Sequence, residues 1–119
     1  MNYATLGSAI LWLPFYASAD VWTRISGAAE PNGLTQPYIA SVAYGSAFYG
    51  FLAVLLSARA ARIVLGTHRT AAVLLPTFAV WIGTPLLFYM YVAPPFSHAP
   101  SAFAAALFVN VWLHVRQRW

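Results

Sequence analysis

The run from Tyr38 to Ala58 carries no charged side chain over about twenty residues. As a helix rising 1.5 Å per residue it is long enough to cross a hydrocarbon layer of about 30 Å. Arg59, Arg62 and Arg69 follow directly, so half of the six arginines fall in one short connector. An excess of Lys and Arg in short loops marks the cytoplasmic side of a membrane protein. This pairing of an apolar run with an arginine cluster sets the expected orientation of the whole chain.

Composition agrees with that reading. The 119 residues allow one domain, and they are 61% hydrophobic and 7% charged, against about a quarter charged in an ordinary soluble domain. A soluble fold of this composition has too few charged residues to cover its surface. The positive charge is all arginine, and Asp20 and Glu30 are the two acids. These arginines lie at the ends of apolar runs, so the net charge of +4 reads as membrane topology. Nucleic-acid binding would need basic side chains spread over a folded face. With no cysteine, disulfides and cysteine-based metal or redox centres are excluded. The use of arginine and alanine without lysine hints at GC-rich bacterial coding.

Four apolar segments follow in order, at about residues 3–22, 38–58, 70–92 and 101–115. The first holds Pro14 as an expected kink, has Tyr3 and Trp22 as interfacial aromatics, and ends near Asp20, a boundary carboxylate in reach of headgroups. Its Ala17-Ser18-Ala19 resembles a signal-peptide cleavage site, but no basic residue precedes the apolar core, and we read it as a retained helix. If it were cleaved or lay along the interface, three crossings would remain with the same orientation. The connector from Thr23 to Pro37, with its Pro31-Asn32-Gly33 turn signal and no excess of positive charge, belongs on the outer side.

In the second segment Ser41 and Gly45, then Ser46 and Gly50, recur four apart, and Ala43 and Ala47 repeat the interval. Small residues at this spacing let another helix approach closely. Arg59 and Arg62 extend this helix about a turn, snorkelling toward phosphates. After a turn at Gly66–Arg69, the third segment contains Pro76 and Pro85 and is expected to be one bent helix. Pro94 and Pro95 form a stiff outer turn. The fourth segment is the shortest, at fifteen residues, and needs a thinned bilayer or snorkelling flanks. Ala104 and Ala105 belong to its small, helix-packing half, and Arg116, Gln117, Arg118 and Trp119 follow it. The arginines of the middle connector and of the carboxyl end then share one side. The fold class expected is an all-α integral membrane protein with four transmembrane helices, short connectors and both termini cytoplasmic, multi-pass in a bacterial inner membrane.

Candidates for chemistry are sparse. Asn110 and His114, four apart on one helix, are the polar pair within a segment. They suit interhelical hydrogen bonding or contact with a quinone or other carbonyl ligand; His114 is the candidate ligand for a haem or pigment, by itself or, less favoured because His68 sits in a turn, paired with His68 on the same side. No cofactor is expected on this pattern. His68 and His98 fall on opposite faces of the membrane and cannot share a metal within one chain. Arg59, Arg62, Arg69, Arg116 and Arg118 are read as topology or lipid-headgroup residues. Phosphate-binding loops, catalytic triads, zinc-protease motifs and carboxylate pairs are not found.

The expected role is a small non-catalytic accessory or scaffolding subunit of a larger membrane complex, respiratory, photosynthetic or envelope, acting by helix packing. Its partners are other membrane protein subunits and the lipid bilayer, with no nucleic acid. The alternatives are a small homo-oligomeric transporter or channel, with Ser41, Ser46, Ser57, Thr77 and Thr84 along its path, and a haem- or quinone-binding anchor.

Overall fold

A computed structural model describes residues 6–94 and 96–116. Tyr3, Pro95, Gln117, Arg118 and Trp119, to which the sequence assigns interfacial, turn and topology roles, lie outside the described residues. Among the described residues the chain is all-helical, with α1 (Leu6–Ser26), α2 (Gln36–Leu65), α3 (Thr70–Gly83), α4 (Leu86–Tyr91) and α5 (His98–Arg116).

The backbone ends of these helices follow local chemistry. Pro37 sits in the first turn of α2, where its missing N–H removes no helical bond, and Gly66 ends α2 with a left-handed φ of 58°. The helix between them has 30 residues, about 45 Å at 1.5 Å per residue, and it sets the 52 Å long axis of the molecule. Helix α1 passes through Pro14 without interruption.

The third apolar segment is two helices, and this corrects the expectation of one bent helix over 70–92. Thr84, extended at φ −113° and ψ 161°, precedes Pro85 and ends α3. A proline disfavours helical geometry in the residue before it, and Gly83 adds a weak helix former at the same point. The fourth segment also differs. Helix α5 starts at His98 and has 19 residues, about 28 Å, so the expected need for a thinned bilayer disappears. Pro100 is accommodated in its first turn, and the first helical bond runs from Ser101 N–H to Ser97 C=O at 2.9 Å.

Among the described residues two helices, α2 and α5, are long and apolar enough to cross a membrane, where the sequence pattern predicts four crossings. Helix α1 has 21 residues but falls below them in apolarity, and α3 is apolar but has 14 residues. Helix α2 is the spine. It packs against α1, α3, α4 and α5, whereas α3 and α5 touch α2 without touching each other.

Candidate functional site

Three small residues of α2, Gly45, Ser46 and Gly50, each receive a large side chain or a polar bond from a neighbouring element. At Gly50 the space of a side chain is filled by Met90 of α4, whose Sδ lies 2.6 Å from where a Cβ would stand. Met90 is itself 1% exposed, and Trp81 Nε1–H donates to its sulfur at 3.3 Å. At Gly45 the rings of Phe15 and Trp12 occupy the corresponding space, 3.1 and 3.3 Å from a built Cβ. At Gly50 this approach is closer than a side chain permits, and at Gly45 a Cβ would fit only if the rings gave way slightly.

Ser46 is the polar centre. It is fully buried, accepts a bond from Trp12 Nε1–H at 3.0 Å and donates to the Pro94 carbonyl at 2.6 Å. One hydroxyl therefore joins α1, α2 and the α4–α5 connection. Ser41 is half-buried and bonds its own helix, donating to Tyr38 C=O at 2.7 Å.

Asn110 is buried at 6% exposure and faces α2. Its amide donates to Leu56 C=O at 2.9 Å and to Ala106 C=O at 2.8 Å, while Oδ1 has no partner. Leu56 lies in a helix, so its carbonyl already accepts a backbone bond, and the Asn110 amide uses the second lone pair. His114 is exposed; a buried amide and an exposed imidazole on the same helix do not form one patch. Ala104 and Ala105 are exposed, Ala105 at the edge of a groove shared with Ser57 and Ala60 of α2.

His98 stands apart from His114. His68 is exposed in the α2–α3 turn, and His98 packs its ring 4.0 Å from that of Tyr89 at the start of α5. His98 and His114 are sixteen residues apart on one helix, about 24 Å. Among the described residues no three His, Asp or Glu side chains converge.

Two further features were not legible in the sequence. The first is a polar cluster where α1 meets the start of α2. Tyr38 Oη–H donates to Asp20 at 2.6 Å, Arg24 pairs with the other oxygen at 2.8 Å, and Tyr16 Oη–H donates to Gly33 C=O at 3.1 Å. The second is a cleft of about 450 Å³ between α3 and α5, floored by α2. Ser57, Thr77 and Thr84, three of the hydroxyls placed along a possible solute path, line it. Thr77 Oγ1–H already donates to Val73 C=O at 2.7 Å, and Thr84 Oγ1 receives Leu86 N–H at 3.4 Å.

The charges are sorted along the long axis. Asp20, Arg24 and Glu30 lie at one end. Arg59, Arg62, Arg69 and Arg116 lie at the other, because α1 runs antiparallel to α2, as the Trp12–Ser46 and Asp20–Tyr38 contacts fix, and α5 runs parallel to it, as Ser46–Pro94, Tyr49–Phe103 and Leu56–Asn110 fix. Comparison with known protein families, with curated proteins and with solved structures finds no match for this chain.

Proposed function

We propose that the chain is an integral protein of a bacterial inner membrane. In this reading it crosses four times, with α3 and α4 together forming the third crossing, and both termini are cytoplasmic. Its role is that of a non-catalytic accessory or scaffolding subunit that holds partner subunits of a larger membrane complex by helix packing.

Support for the membrane comes from the outward surface. Ile10, Phe51, Leu75, Val80 and Phe108 are each 47–71% exposed and belong to all the long helices. In water such a continuous apolar surface would drive association; in lipid it is the ordinary exterior. The arginine-bearing end supports the stated orientation.

The observation that carries the packing role is the use made of the inward polar groups. Ser46 and Asn110 bond the chain's own helices and connections, and Gly45 and Gly50 admit large side chains from α1 and α4. The same devices serve association between membrane subunits, where small residues and polar side chains substitute for a hydrophobic drive. Purification of the chain from its native membrane in mild detergent, with mass spectrometry of the co-purifying proteins, tests the proposal. Stoichiometric foreign membrane subunits are expected, and a homo-oligomer with nothing else bound defeats the reading. A reporter fused after Trp119 should be cytoplasmic; a periplasmic reporter removes the four-crossing topology.

The hydroxyl-bearing cleft beside the α3–α4 break favours one second reading, a small transporter, since broken helices form solute sites in membrane carriers. Solute flux in reconstituted vesicles that is lost in Thr77→Val would decide for it.

A further inference from the structure

The cleft between α3 and α5 exists because the chain breaks at Gly83–Pro85. Beyond the break α4 turns onto α2, seating Met90 against Gly50, and α3 is left leaning on α2 and α4, out of contact with α5. The result is a slot of about 450 Å³, within the range of about 300–1,000 Å³ typical of ligand sites. Its walls are apolar over most of their area, with Ala53, Val54 and Ala61 on the floor and Val80 and Trp81 on one side.

One end of the slot is strongly cationic. Arg62 follows the lining residue Ala61 directly. Arg69 is the residue that caps α3 at the same end, seven residues before the lining residue Pro76. Both arginines are exposed. Among the described residues the one ion pair is Arg24–Asp20, and both acids of the chain lie at the opposite end. No side-chain carboxylate among the described residues is placed to neutralise the mouth.

An apolar slot that opens onto two free arginines matches an amphiphile with an anionic head. Inorganic phosphate would leave the slot unused, and a neutral apolar solute would leave the arginines unmatched. A partner helix is too large: about 10 Å across and as long as α3, it would displace on the order of 1,500 Å³. We propose that this cleft binds one anionic phospholipid, its acyl chain lying along Ala53, Ser57 and Ala61 and its phosphate held between Arg62 and Arg69. The proposal rests on the membrane reading above.

Trp81 in the wall provides the readout. The full chain is reconstituted in phosphatidylcholine vesicles containing a small fraction of brominated phosphatidylglycerol or, in parallel, brominated phosphatidylcholine. Quenching due to Trp81 is the difference between wild type and Trp81→Phe. Quenching by the anionic lipid should exceed that by the zwitterionic one several-fold. Arg62→Gln or Arg69→Gln should each lower the preference about fivefold, the effect of one cation at a lipid surface. Added inorganic phosphate should not compete. Equal quenching by the two lipids, or a preference that survives both substitutions, overturns the proposal. Native mass spectrometry of the wild-type chain gives an independent check that needs no variant: one retained phosphatidylglycerol is expected after detergent exchange, and none defeats the proposal. Flotation of the vesicles separates the two readings, since a chain that fails to float overturns both, whereas one that floats without lipid preference overturns this one alone.

Discussion

The two halves of α2 are lined with similarly small residues and end up packed in opposite ways. Toward its amino end, Gly45 and Ser46 are covered by Trp12 and Phe15 of α1, and Tyr38 is tied to Asp20. Toward its carboxyl end, Ala53, Ser57 and Ala61 face a cleft, while α5 meets α2 through Asn110 and the partly buried Ala102 and Ala106. Small against large closes a helix interface, because the ring fills the notch. Small against small brings two backbones together but leaves the third side open unless another helix completes it. Helix α3 stops short of doing so, and the difference between the halves follows from a helix break at Gly83–Pro85.

Gly50 is the place to break this comparison with the largest effect, because it sits where the closed half gives way to the open one. A leucine there must displace the buried Met90 side chain. Overpacking a tight site typically destabilises by about 1–3 kcal/mol and occasionally more; Gly50→Leu belongs at the upper end of that range. Unfolding in detergent, followed by tryptophan fluorescence, would show it directly, and assembly with any partner should weaken in parallel. A variant with wild-type stability would mean that Met90 is not locked on Gly50.

Next in size is Ser46→Ala. It removes the acceptor for Trp12 Nε1–H and the donor to Pro94 C=O, leaving two polar groups without their partner inside the molecule. A buried group left unpaired costs about 1–3 kcal/mol. Thermal unfolding should register that loss, whereas Ser41→Ala, whose hydroxyl bonds only its own helix, should change little. Equal effects from the two serines would remove Ser46 as the joint between α1 and the α4–α5 connection.

The ends of α2 were readable from single residues, Pro37 in the first turn and Gly66 at the close, because proline and glycine act locally. Pro85 was read as a bend and proved a break, since the outcome depends on whether α4 finds a better seat, and Gly50 supplies one. Pro100 hid the true start of α5: a proline in a first turn and a proline ending a loop look alike in sequence. The Asp20–Tyr38 bond joins residues eighteen apart across a connector, and the cleft is a property of two helices that fail to meet. No local pattern encodes either. The spacing of Asn110 and His114 showed that they share a helix and said nothing of which one α2 covers.

That last pair gives the smallest expected effect and the finest test of the open half. Asn110 donates twice but leaves Oδ1 unpaired, so its net contribution combines two gained bonds with one stranded acceptor. Interhelical bonds of this type in membranes are worth about 1 kcal/mol or less, and Leu56 C=O keeps its helical donor when the amide is removed. Asn110→Leu should therefore lower stability by no more than about 1 kcal/mol, and adding His114→Leu should change it no further, because the imidazole is exposed. Activity of a complex containing the chain should stay nearly intact in the double variant if packing is its role. A double variant that unfolds no more easily than wild type yet abolishes that activity would show that Asn110 and His114 serve a ligand, and the open half would then be the working half of the molecule.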